Sequence, residues 1–308
     1  SATYSRVSPE QKVDIVEEQR RAGHLVAMTG DGVNDGPALK SADVGIAMGR
    51  RGTDVARAVA DVVLANDDLP SLARAIAEGR RLHDNVRRAI TYLVTTNLSE
   101  VVAMLLGALA GAPPLGPLHL LWLNLLTDVA PALALAVEPA ERDLMLRPPR
   151  DPNRSLFERA DLPRIGREAG AMAGASLAAY AIGAARHGGA PRASAHARSV
   201  GFLSLVTAQL LHTGSCRART AQPNPVLSRA LWASFGLQAL AVGTPALRRA
   251  LAIERLDAFD LAVALAAGLG PSVARRLTEP RDPREIVVVE RASRAPELEG
   301  SPALAEAA

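Results

Sequence analysis

Apolar and polar positions are spaced differently in two parts of the chain. Up to residue 85, short apolar runs alternate with charged stretches; from Val86 onward, long apolar runs alternate with short Arg-rich connectors. In the first part, Pro9 to Ala22 predicts a helix closed by Gly23. Leu25 to Thr29 predicts a buried strand, and Pro37 sits well in the first turn of a second helix. Val44 to Met48 and Val62 to Ala65 predict two more strands, with a short helix, Thr53 to Ala60, between them. Strands alternating with helices imply a parallel α/β sheet. Ligands bind at the carboxyl ends of such strands, and Asp31 lies at one.

In the second part, Val101 to Thr127 holds no ionisable side chain except His119. The Gly- and Pro-rich break at 111–117 divides it into two predicted helices, 87–110 and 117–137, each near the ~20 residues that span a bilayer. Further spans are predicted at 165–186, 199–216, 230–248 and 258–276. The expected organisation is an α/β part at 1–85, an all-α transmembrane domain of six helices at 86–278, and a flexible tail at 279–308 rich in Pro, Glu and Arg. The 111–117 turn is uncharged while 138–164 holds several Arg residues, so the positive-inside rule puts that connector and both termini in the cytoplasm. Arg248, Arg249 and Arg255 fall in a connector predicted outside and depart from the rule.

Net charge changes little in this picture. A balance of +3 can serve nucleic acid, but here the Arg residues flank apolar runs, where their heads reach the membrane interface; no nucleic-acid partner is expected. Cys216 is the single cysteine, which excludes an internal disulfide and a cysteine-based metal site. The first residues are polar, start in mid-pattern and lack Met, so further chain is expected upstream.

The loop Gly30-Asp31-Gly32-Val33-Asn34-Asp35-Gly36 carries the chemistry of the first part. It fails the dinucleotide fingerprint at Asp35, lacks the Gly-Lys-Ser/Thr ending of a Walker loop, and has Val33 where an EF-hand needs an oxygen ligand. A plain acidic turn is one alternative. The other is a Mg²⁺ site beside a phosphoryl group, since Mg²⁺ takes one or two carboxylates plus phosphate oxygens. The run Thr29 to Lys40 resembles the hinge signature of P-type ATPases, with Gly36 where that family usually has Ala, and Arg6-Val7-Ser8-Pro9-Glu10-Gln11-Lys12 resembles its phosphate-contacting stretch. The resemblance implies a haloacid-dehalogenase-like phosphorylation domain in which Asp31 ligates Mg²⁺, Asn34 and Asp35 hold the site together, and Lys12 neutralises the transferred phosphoryl group. The family's nucleophile, an Asp followed by Lys-Thr-Gly, is absent: Lys12 and Lys40 are the only lysines and neither follows an Asp. The nucleotide-binding domain that would hold ATP is absent as well, as are the actuator domain and four earlier membrane helices.

The second part carries its chemistry in the first two spans. Asn97 and Glu100 share a helix face, as do Asn124, Thr127 and Asp128 at i, i+3 and i+4. A carboxylate at the centre of a membrane helix costs about 2.5–3.5 kcal/mol. Two acids beside amide and hydroxyl oxygens suit a hard cation; the alternative is interhelical hydrogen bonding that only holds the bundle. Thr95 to Val101 and Leu121 to Asp128 resemble the ion-binding spans of calcium pumps, and sodium/potassium pumps less, because these tend to carry Asp where this chain has Asn124. Two-site calcium pumps place a Glu in a later span, where this chain has Gln209, which resembles the single-site pumps. The remaining ligand would be a Glu from the absent fourth helix.

The resemblance implies ATP-driven export of a divalent cation, Ca²⁺ before Mn²⁺ or Mg²⁺, through an aspartyl-phosphate, in a multi-pass protein of the plasma membrane. Alternatives are a decayed or truncated non-catalytic membrane protein, one half of a split pump that works with a separate N-terminal half, and a membrane-tethered phosphatase-like domain. For lack of Asp-Lys-Thr-Gly, this chain expressed alone is expected to form no phosphoenzyme. The check is labelled ATP followed by acid quench, and a hydroxylamine-sensitive label on the purified chain would contradict it.

Overall fold

A computed structural model describes residues 5–148, 155–187, 191–217 and 222–278. The tail expected at 279–308 lies outside the described residues. Contacts divide the chain into two units, one built on residues 1–85 with 139–150 and 220–222, the other on the remainder.

The first unit is a three-stranded parallel sheet with helices between its strands. Helix α1, Pro9–Arg21, starts at Ser8, whose hydroxyl accepts from Gln11 N while Gln11 Oε1 accepts from Ser8 N, so two otherwise orphaned donors are satisfied. Strand β1, Ala27–Gly30, leads through a tight turn into α2, Gly36–Ser41; β2, Val44–Met48, α3, Asp54–Val59, and β3, Val62–Leu64, follow. The order is β1-β2-β3, with Ala27 opposite Val44 and Ile46 opposite Val62. Central β2 is buried at Gly45, Ile46 and Ala47, and Leu39, Ala47 and Ala56 form the core. Gly45 is required: a Cβ there would lie 2.5 Å from the Leu39 carbonyl oxygen. The expected burial of the first strand is not observed. β1 is an edge strand with Ala27 and Thr29 exposed, and Leu25 just before it is 67% exposed.

The second unit is helical. Helix α4, Leu69–Leu109, of which this unit holds the part from residue 86 on, extends well before the expected start at residue 87, because its charged first half is as helical as its apolar second half. Gly111 turns the chain at φ +71°. Helix α5, Pro117–Trp122, then passes into a five-residue π turn, Leu123–Thr127, and on into α6, Val129–Ala136. Then come α7, Leu162–His187, α8, Pro191–Cys216, α9, Pro225–Gly243, α10, Pro245–Leu251, and α11, Ala258–Thr278. The span expected at 230–248 is instead two helices, since Pro245 has no N–H to continue the ladder past Thr244.

Among the described residues, four helical stretches are long and apolar enough to cross a membrane: Pro70–Leu109, Pro117–Ala136, Pro225–Gly243 and Ala258–Thr278. Helices α7 and α8, at 26 residues each, are long enough to cross but fall below that apolarity. They are rich in Ala, Gly, Ser and His, and Arg164, Arg167 and Glu168 sit in the first turns of α7. Apolar side chains on the outer faces are exposed, among them Leu109 at 77% and Trp232 at 78%.

Helices α7, α8 and α11 pack closely because small residues line their contacts. A Cβ at Gly201 would lie 3.2 Å from Tyr180 Cβ, and one at Gly183 would lie 3.2 Å from Ala197 Cα. The tightest point is Gly268 in α11, where a Cβ would lie 2.6 Å from Thr207 Cβ and 2.8 Å from the Ser204 carbonyl oxygen of α8. Gly268→Ala should therefore push the two helices apart and destabilise the unit by about 1–3 kcal/mol. Gly270→Ala, on the same helix with nothing within 4 Å of the new methyl, should be neutral or slightly stabilising. Thermal unfolding of both variants in nanodiscs checks this; equal midpoints would contradict the packing account.

Candidate functional site

Two buried carboxylates organise the helical unit. Asp128, 1% exposed, follows the π turn, where its N–H bonds the Leu123 carbonyl five residues back at 3.0 Å. Pro131 explains the turn: it offers no N–H to the Thr127 carbonyl and its ring crowds that oxygen. Single π turns of this kind occur often at functional sites. Asp128 Oδ1 accepts from the Tyr92 hydroxyl at 3.1 Å and Oδ2 from the Thr96 hydroxyl at 3.0 Å, both on α4. Glu100, 4% exposed and one turn further along α4, accepts from Asn124 Nδ2 at 2.8 Å and from Gln209 Nε2 of α8 at 3.1 Å. Gln209 also reaches the Thr96 carbonyl at 3.3 Å and the Ser99 hydroxyl at 3.4 Å. The antiparallel pairing of Thr96 with Asp128 and Glu100 with Asn124 sets the two acids one helical turn apart on facing helices.

Of the expected residues, Glu100, Asn124 and Gln209 are thus joined directly, and Asp128 is joined to α4 beside them. Thr127 is buried, but its hydroxyl bonds the Trp122 carbonyl at 3.4 Å rather than a carboxylate. Asn97 is exposed, and its amide bonds the Leu93 carbonyl at 2.7 Å. Tyr92, Thr96 and Ser99 were not expected. The spacing Tyr92, Thr96, Glu100 at i, i+4, i+8 is the signal that marks them as one face. Among the described residues neither acid has a Lys, Arg or His partner, and the Gln209 Oε1 is buried with no hydrogen bond. Two buried acids with no basic partner, set among amides and hydroxyls beside an orphaned amide carbonyl, bring together oxygen donors of the kind that hard cations take.

In the sheet unit, Asp35 closes the loop after β1. Its Oδ1 accepts from Lys12 Nζ at 2.6 Å, and its Oδ2 from the backbone N–H groups of Asp31 at 3.3 Å and Gly32 at 3.2 Å. Gly30 leaves it room, since a Cβ there would lie 2.6 Å from Asp35 Cβ. Burial opposes ionisation of Asp35, but the Lys12 ammonium and the two N–H groups outweigh it and hold the carboxyl below its usual value. Asp31 is exposed at the strand end, with its carbonyl held by Thr53 N at 2.8 Å. Among the described residues, its carboxylate and the Asn34 amide have no hydrogen-bond or ion-pair partner. A lone exposed carboxylate with room for waters and phosphate oxygens fits Mg²⁺, which keeps much of its water shell.

The family model described as "Cation transporting ATPase, C-terminus" matches residues 112–279. A calcium-transporting ATPase of Bacillus subtilis is 42% identical over 218 residues, covering 70% of this chain and 24% of that protein. Calcium-transporting ATPase 1 of Bacillus cereus is 36% identical over 294 residues, covering 89% of this chain and 33% of that protein. A sodium/potassium-transporting ATPase subunit alpha-3 of Gallus gallus is 48% identical over 150 residues, 48% of this chain and 15% of that protein. The chain thus spans a third or less of the length of these relatives.

Lys12→Met should raise the pH at which Asp35 titrates. A carboxyl lowered in the folded state adds stability above the ordinary carboxylate range, and that stability is lost as pH falls through the lowered value. Without the ammonium this stabilisation should be smaller and its loss complete at higher pH. Carboxyl-carbon NMR of Asp35 checks this; an unchanged midpoint in the variant would show that the ion pair does not set it.

Proposed function

Because the chain belongs to the cation-transporting ATPases as their C-terminal part, we propose that it supplies the ion-binding helices and the end of a haloacid-dehalogenase-like phosphorylation domain to an ATP-driven exporter of a divalent cation. The observation that carries this reading is the pair of buried carboxylates, Glu100 and Asp128, set among amides and hydroxyls with no basic side chain among their described partners. Calcium is the favoured substrate: flexible oxygen donors without nitrogen or sulfur suit it, and two relatives are named for its transport.

Each residue has a role in this reading. Asp128 and Glu100 supply charge, and Asn124 and the Gln209 carbonyl supply neutral oxygens; Asn97 and Thr127, bonded here to the Leu93 and Trp122 carbonyls, would have to turn from those bonds to add theirs. Tyr92 and Thr96 aim Asp128. A neutral Gln209 in place of a third acid favours one ion per cycle. Two carboxylates balance one divalent cation, and a second would need further charge. In the sheet unit, Lys12 holds Asp35 and thereby the loop that carries Asp31 and Asn34 at the strand end. Mg²⁺ bound at Asp31 would screen the charge of a phosphoryl group. The nucleophilic Asp and the ATP-binding domain would come from sequence outside this chain. We place α7 and α8 in the bilayer with the four apolar stretches, six spans in all, in a plasma membrane with both termini cytoplasmic; the Arg-rich 138–164 connector supports that orientation.

The test uses the chain joined to the N-terminal part of a close relative. Asp128→Asn keeps shape but removes charge and should weaken ion-dependent phosphorylation by about 100-fold or more, while Gln209→Ala should cost about tenfold or less, roughly 1.4 kcal/mol. Isotope binding at equilibrium should give one ion per phosphorylatable site. A ratio of two, or an Asp128→Asn pump with unchanged ion dependence, would sink the reading.

A further inference from the structure

A second titratable cluster lies outside the carboxylate pair, where one end each of α7, α8 and α11 come together. His187 is the last residue of α7, His196 lies in the second turn of α8, and Asp260 lies in the first turn of α11. One ligating atom from each lies within 4.8 Å of the others. His196 Nε2 is 2.5 Å from Asp260 Oδ2, and His187 Nε2 is 3.5 Å from the same oxygen. The two imidazole rings are tilted by 45° with centroids 3.7 Å apart. We propose that these three side chains bind one divalent transition-metal ion of the Zn²⁺ class through His187 Nε2, His196 Nε2 and Asp260 Oδ2, with water in the remaining position.

Geometry supports the assignment. Zinc bonds to nitrogen and carboxylate oxygen are about 2.0–2.1 Å, so tetrahedral ligand atoms stand roughly 3.3 Å apart. The His187 to Asp260 separation of 3.5 Å is already near that value. His196, now at 2.5 Å, must retreat by about 0.8 Å, which a small ring rotation provides. Without an ion, two imidazoles compete for one acceptor oxygen, and only His196 reaches hydrogen-bond distance. A metal ion would satisfy all three atoms together.

The surroundings hold the carboxylate in place for this role. Asp260 Oδ1 accepts from Arg186 Nη1 at 2.5 Å, and Arg186 is gripped by Asp257 at 3.1 and 3.2 Å and covers the Phe259 ring at 4.4 Å. Asp257 also accepts from Asp260 N at 2.8 Å, which fixes the first turn of α11. Outer partners of this kind orient metal ligands. Two aspartates against one arginine leave a net negative charge for a divalent ion to balance when the imidazoles are neutral. The Asp260 side chain is 1% exposed, His196 14% and His187 33%, so the site is anchored in the bundle and open on one side, where an ion could enter and a water could bind.

The donor set separates this site from the one proposed for transport. Two imidazoles and one carboxylate select zinc, copper or nickel over calcium and magnesium, which take oxygen. The bound ion would tie three helices together at one end.

The full chain, carrying no histidine tag, in nanodiscs and titrated with Zn²⁺ in the presence of excess Ca²⁺, should bind one Zn²⁺, and Co²⁺ in its place should give a tetrahedral absorption spectrum. His187→Asn, at an accessible helix end, should weaken binding at least tenfold, and His187→Asn with His196→Asn should abolish both the binding and the Co²⁺ spectrum. Zn²⁺ should raise the thermal midpoint of the parent chain but not of the double variant. Asp128→Asn should bind Zn²⁺ as the parent does. The proposal is overturned if the chain binds no Zn²⁺, if the double variant binds it as tightly as the parent, or if Asp128→Asn is the variant that loses it.

Discussion

Burying two carboxylates between helices, with no basic side chain among their described partners, is the constraint on which the helical unit turns. Each buried charge costs several kcal/mol unless something offsets it. Tyr92, Thr96, Asn124 and Gln209 supply four donors, which orient Asp128 and Glu100 but bring no positive charge. The deficit is what a cation would fill. It also explains why three helices must meet here: α4 supplies an acid and two hydroxyls, the π turn and its flanks supply the other acid and an amide, and α8 supplies the amide that caps Glu100.

Helix α8 is central to that meeting. Every residue from 201 to 210 is buried, and Ser204, Thr207, Gln209, His212 and Thr213 are buried polar residues. A helix covered by neighbours on all sides needs no apolar exterior. Small residues let those neighbours come close, as Gly201, Gly183 and Gly268 do. The same closeness fixes Gln209 against α4, so packing and site are consequences of one arrangement.

Much of this was legible in the sequence, for reasons that differ by element. The strands of the sheet unit stood out as short apolar runs between Gly and charged residues, and β2 and β3 fall close to where those runs lie. The burial of β1 was misread because an edge strand and a central strand can share an apolar run. The start of α4 was missed because Arg74, Glu78, Arg80 and Arg81 mark a polar surface, not a helix end. The two acids were legible from the cost of placing them in apolar runs. Their hydroxyl partners were not, since Thr and Tyr occur in many helices without such a role. Gln209 stood out only by resemblance; that it bonds Glu100 emerges from three-dimensional packing alone.

The π turn carries a further consequence in the phase of the helix around it. His119 and Trp122 are buried before the turn, Leu123 and Thr127 at its two ends, and Asp128, Pro131, Ala132 and Leu135 after it. Continued without interruption, the first set would place Leu126 and Leu133 inward, yet these are 41% and 64% exposed. The turn absorbs one surplus residue and so rotates the second half against the first by about the 100° that one α-helical residue covers. Two half-helices of different phase therefore meet where Asp128 sits. Without the turn, a helix of the same length would carry Asp128 away from Tyr92 and Thr96 and turn Leu126 and Leu133 inward; removing one residue between Leu123 and Thr127 would instead let a regular helix present both buried sets on one face. The π turn is thus what allows a segment with one residue in excess to keep its carboxylate on the buried side.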